Sequence, residues 1–201
     1  MSKVKTFLDL YHIIKLVGRI ILKQKIMETN NNESITTLQN LLNFDTRKFT
    51  SAEIQLKNSL PKWISKTGSL KLKTVLQRYL DYVKQNLQKL EDIFKEEQIN
   101  SMSLTNHVME AFIKEAEEKL STCTDVEIKD ACLLACIQTI NHFKISTYGT
   151  AAAFAIALNK EKQAILFHEA EINEKQIDDR LSQLAQHEIN LKAKTPITLH
   201  E

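Results

Sequence analysis

A chain of 201 residues with only three glycines and two prolines has few places to turn. Sandwiches and barrels need a turn signal roughly every 8–12 residues, whereas helical bundles need few turns and tolerate few breakers. This scarcity points to an all-α fold. Good helix formers (Ala, Leu, Lys, Glu, Gln) dominate the rest of the chain. With 27 basic and 25 acidic residues the net charge is +2, which argues against a dedicated nucleic-acid binder. The three cysteines, Cys123, Cys132 and Cys136, show no framework spacing. That pattern fits a reducing, cytoplasmic compartment. Cys132 and Cys136, four apart on an expected helix, read as small buried apolar side chains, with metal binding or redox work as the alternative.

Hydrophobic periodicity divides the chain. Residues 1–27 are expected to form a basic amphipathic helical extension, with Val4, Phe7, Leu8, Tyr11, Ile14, Val17, Ile21 and Leu22 at helical spacing. Lys5, Lys15, Arg19 and Lys23 interrupt it, and a transmembrane helix needs roughly 20 nearly uncharged residues. Three readings of it stand: a helix packed on the bundle or on a dimer partner, a membrane-surface helix over residues 4–26, or an upstream extension with Met27 as the start. A polar linker follows over residues 28–35. The bundle occupies 36–190, and a polar tail 191–201.

Within the bundle the first helix is expected from about Thr36 to Ser65, broken near Phe44–Thr46 and kinked at Pro61. The second runs from about Leu70 to Glu97, and a short helix covers about Ser103 to Leu120. Thr124-Asp125-Val126-Glu127 reads as a capping box opening a long helix that Asn159 stops. The last helix is expected from Lys160 to Ile189. Four long helices, short connections and one helper helix predict an antiparallel four-helix bundle.

Polar residues on the inward stripes carry the functional signal, because a buried polar group needs a partner. Glu53 lies between Phe49 and Leu56 on the first helix. Glu174 and Asp178, four apart, share a face of the last. Three carboxylates aimed at one core are what an iron or manganese site uses. At the same level the other helices offer Tyr82 and Asn86, then Asn141 and Lys144 beside His142. A dinuclear site wants about four Glu and two His. A protonated lysine cannot ligate and repels a cation. The favoured reading is therefore that Lys144 neutralises a buried carboxylate cluster without any cofactor, with a residual iron or manganese site at Glu53, Glu174 and Asp178 as the alternative. His107, His168 and His187 lie at no ligand spacing. Phosphate-loop, nucleophile-elbow and HExxH motifs are absent.

Several short motifs in one order resemble a known family. Thr37-Leu38-Gln39-Asn40-Leu41-Leu42, then Ala52-Glu53-Ile54-Gln55-Leu56 and Leu60-Pro61-Lys62, resemble the opening of the ferritin-like YciE/YciF stress-protein family. Leu87-Gln88-Lys89-Leu90-Glu91-Asp92-Ile93-Phe94, Met109-Glu110, Thr147-Tyr148-Gly149-Thr150 and Glu174-Lys175 with Asp178 are similar to its later motifs. The match spans about residues 36–190. It implies a ferritin-like antiparallel four-helix bundle with a short additional helix, here behind an N-terminal helical extension. It also implies a bundle that is often dimeric and a link to bacterial stress; a homodimer, or action on a protein partner, is the expectation for this chain. The family's di-metal ligands map to Glu53, Tyr82, Asn86, Asn141, Lys144, Glu174 and Asp178. Glu53, Glu174 and Asp178 match; the other four depart from the family's Glu, His or Gln, Glu and Glu. The resulting expectation is a non-catalytic protein whose di-metal centre has been largely replaced.

Overall fold

The structure, a computed structural model, describes residues 34–97, 99 and 104–194. The predicted extension over 1–27, most of the linker and the end of the tail lie outside these residues. The described residues form an all-α bundle. Its elements are α1 (Leu38–Lys66), α2 (Leu70–Glu96), α3 (His107–Thr122), α4 (Val126–Ala157), α5 (Glu161–Leu184), a π-helical turn (Ala185–Ile189) and α6 (Asn190–Lys194). No described helix is long and apolar enough to cross a membrane.

Side-chain caps set several helix starts. Thr37, Ser69 and Asn106 accept the N–H groups of Asn40, Leu72 and Met109. At α4 the cap is Asp125, one residue later than the Thr124 of the expected box: its carboxylate accepts the Glu127 N–H at 2.8 Å and the Ile128 N–H at 3.3 Å. Asn159 stops α4 as expected, with φ of 55°. The left-handed turn there lets the Lys160 N–H reach the Ala155 carbonyl at 2.9 Å.

Two expectations fail for local reasons. The break near Phe44–Thr46 does not occur, because the polar residues there bond back along α1. Thr46 Oγ1 donates to the Leu42 carbonyl at 2.7 Å, and Thr50 Oγ1 to that of Thr46 at 3.0 Å. The last helix does not end at Ile189. One π turn re-aims the chain, buries Ile189 and brings Glu188 to Lys71 at 2.7 Å and Lys192 at 3.0 Å. Helix then continues to Lys194, so the first residues of the expected tail are helical.

The α1–α2 turn is pinned from across the bundle. Asp130 of α4 accepts the Gly68 N–H at 3.0 Å and the Ser69 N–H at 2.7 Å. Glycine is required by this close approach, since a Cβ at position 68 would lie 2.5 Å from Val126 Cγ2.

The long helices close a square: α1 packs on α2, α2 on α5, α5 on α4 and α4 on α1, with α3 across α1 and α4. The core comprises two apolar clusters. One contains Leu56, Trp63, Leu76, Val83, Ile140 and Ile177; the other contains Phe49, Leu90, Tyr148, Ala151, Phe167 and Ala170. Along α1 and α5 the chain passes from the second cluster to the first, and along α2 and α4 from the first to the second. Neighbouring helices in the square are therefore antiparallel. Because α2 and α4 run the same way, the segment between them, which carries α3, returns along the bundle, the connection of a ferritin-type topology.

Candidate functional site

Between the two apolar clusters every long helix contributes a buried polar residue at one level. On α1 it is Glu53, between Phe49 and Leu56. On α2 it is Asn86, between Val83 and Leu90. On α4 the pair Asn141 and Lys144 falls between Ile140 and Tyr148. On α5 it is Glu174, between Ala170 and Ile177. Each lies on the apolar stripe of its helix, so burial follows from the same periodicity that builds the core. Exposure is 0% for Glu53, Glu174 and Asn141, 1% for Asn86 and 3% for Lys144.

Lys144 occupies the centre. Its Nζ lies 2.6 Å from Glu174 Oε1, 3.0 Å from Glu53 Oε1 and 3.1 Å from Glu53 Oε2. The Glu174 contact is a charge contact without directed hydrogen-bond geometry. Asn141 Nδ2 donates to Glu174 Oε2 at 2.6 Å, and Asn86 Nδ2 to Glu53 Oε1 at 3.4 Å. The Tyr148 hydroxyl donates to Glu53 Oε1 in a short bond. The ammonium also lies over the Tyr79 ring, 4.8 Å from its centroid, with the Tyr148 ring at 5.9 Å. A cation over an aromatic face gains from the ring quadrupole, more so when desolvated.

One ammonium faces two buried carboxylates, and the titration shifts follow. Burial pushes Glu174 up to about 7, aided by the Glu53 charge and only partly opposed by Lys144. For Lys144 burial alone would lower the pKa, but the Glu174 and Glu53 charges outweigh it and hold it above its ordinary value. The lysine is held in its charged form, and the surplus negative charge favours protonation of Glu174. Tyr79 and Tyr148 are pushed well above the usual phenol range, chiefly by burial and then by the two glutamates. Both phenols are neutral at ordinary pH.

A di-metal centre of the kind the resemblance implies does not fit this set. Lys144 Nζ stands between the two carboxylates, where a cation would be held. The side-chain atoms hydrogen-bonded to those carboxylates, from Asn86, Asn141 and Tyr148, are donors. A metal needs lone pairs from its neighbours, and an ammonium supplies none. Among the described residues no three His, Cys, Asp or Glu side chains converge closely enough to hold a metal ion.

Of the seven predicted positions, Glu53, Asn86, Asn141, Lys144 and Glu174 come together. Asp178 does not. One turn beyond Glu174 it turns to the outer edge of the α4–α5 seam, where it meets His142 Nε2 at 3.1 Å and Gln138 Nε2 at 3.4 Å. Tyr82 also departs: it lies half-buried on the flank of α2, bonded to Arg78 Nε at 2.9 Å and Gln176 at 3.3 Å. The inward residue of that turn is Tyr79, three positions earlier. Sequence reasoning missed Tyr79 and Tyr148 as members of the site. The usable signal was register, because Tyr79 and Asn86 are seven apart on the same inward stripe. Cys132 and Cys136 differ from expectation in burial: both are only half-buried, and all three cysteines are free.

Comparison with known proteins agrees with this architecture. A family model described as a domain of unknown function, DUF892, matches residues 37–194. Protein YciF of Escherichia coli strain K12 is 32% identical over 144 residues, 71% of this chain and 87% of YciF. The crystal structure of the E. coli stress protein YciF superposes with a TM-score of 0.72 at 28% identity, covering 78% of this chain and 99% of that one. YcfI of Rhodopseudomonas palustris, described as a candidate structural protein, gives a TM-score of 0.72 at 26% identity, covering 75% of this chain and 96% of its own.

Proposed function

This chain belongs to the DUF892 family, and from that premise we propose that it is a non-catalytic bundle protein with a stress-related or structural role. In it the Lys144 ammonium does the work of a di-metal centre, holding two carboxylates of opposite helices in the core. The observation that carries this reading is the position of Lys144 Nζ, 2.6 Å from Glu174 and 3.0 Å from Glu53. YciF, a relative, is described as a stress protein, and YcfI as a candidate structural one. Both descriptions suit a scaffold whose centre performs no turnover. Its action lies in self-association or in holding a protein partner, in a cytoplasm that keeps Cys123, Cys132 and Cys136 reduced.

Thermal melts with and without Fe(II), Mn(II) and Zn(II) test this. A ligand that binds only the folded state raises its melting temperature by mass action. The expected result is an unchanged melt with each ion. A rise with iron or manganese that is lost in Glu174→Gln would favour the residual metal site instead. Sedimentation velocity of the full chain tests self-association, and a dimer is the expected species.

A further inference from the structure

The antiparallel seam between α2 and α5 changes character along its length. Toward one end it carries an ordinary ion pair, Lys89 of α2 with Glu169 of α5 at 2.7 Å. Going back along α2 and forward along α5 in the same register, the next pair across the seam is Tyr82 and Gln176, bonded at 3.3 Å. One turn further the register sets Arg78 against Arg180, and both line an open cleft of 460 Å³. Like charges thus face each other where the same seam elsewhere matches opposite ones. We propose that this cleft binds the phosphate group of a small soluble phosphate monoester, with Arg78 and Arg180 as the clamp. The site is separate from the Lys144 cluster and does not depend on the reading given to it.

Local bonding leaves donors aimed at a ligand. Arg78 Nε donates to the Tyr82 hydroxyl at 2.9 Å, and the guanidinium lies over the Tyr82 ring, 5.4 Å from its centroid. The ring fixes the guanidinium plane and leaves both Nη groups uncommitted. The Tyr82 hydroxyl in turn donates to Gln176 Oε1, and Arg180 Nη1 donates to Gln183 Oε1 at 3.1 Å. Each amide carbonyl is thereby used inside the wall, and each amide nitrogen is left as a donor. The Thr74 hydroxyl proton is spent on the Leu70 carbonyl at 2.9 Å. Among the described residues both arginines bond to neutral side chains, and neither pairs with a carboxylate.

The donor set selects the ligand. A dianion between two facing guanidiniums removes their repulsion, and each fork matches a pair of oxygens. The donors outnumber what the two oxygens of a carboxylate accept, and suit the three terminal oxygens of a phosphate monoester. Val75 and Ile177 supply an apolar wall for the organic part. The cleft also falls within the roughly 300–1,000 Å³ of small-molecule sites. Asp179 is the carboxylate in the wall. Two guanidiniums outnumber it, and it opposes anion binding, which gives the site a signed test.

Isothermal titration calorimetry of the full chain at low ionic strength provides that test, with phenyl phosphate, inorganic phosphate and benzoate as probes. The expected result is saturable binding of phenyl phosphate, weaker binding of inorganic phosphate and weaker still of benzoate. R78Q and R180Q each weaken phenyl phosphate by about tenfold or more, and D179N tightens it. K66Q/K129Q, which removes two lysines from a different cleft, leaves it unchanged. Flotation with vesicles of phosphatidic acid and phosphatidylcholine separates a soluble ester from a lipid headgroup, and R78Q/R180Q is expected to float as the wild type does. Four outcomes would each overturn the proposal: no saturable binding of phenyl phosphate, benzoate binding as tightly as phenyl phosphate, an equal loss in K66Q/K129Q, or flotation abolished in R78Q/R180Q. Far-UV circular dichroism confirms the fold of each variant, and D179N carries the test if an arginine variant does not fold.

Discussion

Lys144 Nζ and Glu174 Oε1 lie 2.6 Å apart in the middle of the bundle, and neither side chain exceeds 3% exposure. A surface ion pair at this distance is worth little because water screens it. Here both side chains are shielded from solvent, so desolvation of the charges is costly and loss of either partner strands the other.

Removing the ammonium therefore has a large effect. Lys144→Met leaves two buried carboxylates against each other and destabilises the protein by roughly 3–5 kcal/mol. Replacing the charges together with the donors bonded to them, as E53L/N86L/N141L/K144M/Y148F/E174L, leaves neither a charge nor a donor to strand and recovers most of that loss. Urea denaturation of the two variants checks this. A combined variant weaker than the single one would refute the account of the cluster as a closed electrostatic unit.

Stability also depends on pH through Glu174. Its folded pKa of about 7 lies above the ordinary 4.5, so it binds its proton more tightly in the folded state. Its contribution to stability is complete below about pH 4.5 and is lost as pH rises through about 7, a difference of about 3 kcal/mol. Lys144, raised above its ordinary 10.5, contributes fully throughout that window. Denaturation at pH 5 and pH 8 should show the fall in the wild type and a flatter profile in Glu174→Gln.

The two core tyrosines should respond differently. Tyr148→Phe removes a hydroxyl that donates to buried Glu53 and costs about 1–3 kcal/mol. Tyr79→Phe removes a buried hydroxyl that lies beside Glu174 without full hydrogen-bond geometry, and costs less than Tyr148→Phe, under about 1 kcal/mol. Thermal denaturation of the pair separates these effects.

Asp178 belongs to the edge and not to the cluster. Its contact with His142 is open to water, with the imidazole 66% exposed. Asp178→Asn should cost under about 1 kcal/mol, with no change in the pH profile assigned to Glu174. A loss matching that of Lys144→Met would place it back in the core.

Much of this was legible in the residues, within physical limits. Helical spacing and the lack of breakers give the four long helices, and the collinear motifs identify the family that the domain match returns. Glu53, Lys144 and Glu174 stood out because each breaks an apolar stripe. Tyr82 and Asp178 misled because a stripe about 100° wide has flanks, and one turn along the helix decides whether a side chain faces the core or the seam. Tyr79 and Tyr148 were hidden for another reason. Their rings read as ordinary core, and their hydroxyls acquire meaning only when packing sets them beside carboxylates from other helices. The unbroken course of α1 was concealed by Thr46 and Thr50, which look like breakers but satisfy themselves on their own helix.

The central claim is that the core's cation is Lys144. Elemental analysis of the full chain, purified without chelators and compared with Glu174→Gln, tests it most directly. The account predicts no stoichiometric iron, manganese or zinc in either protein. One equivalent of iron or manganese in the wild type, absent from Glu174→Gln, would contradict it.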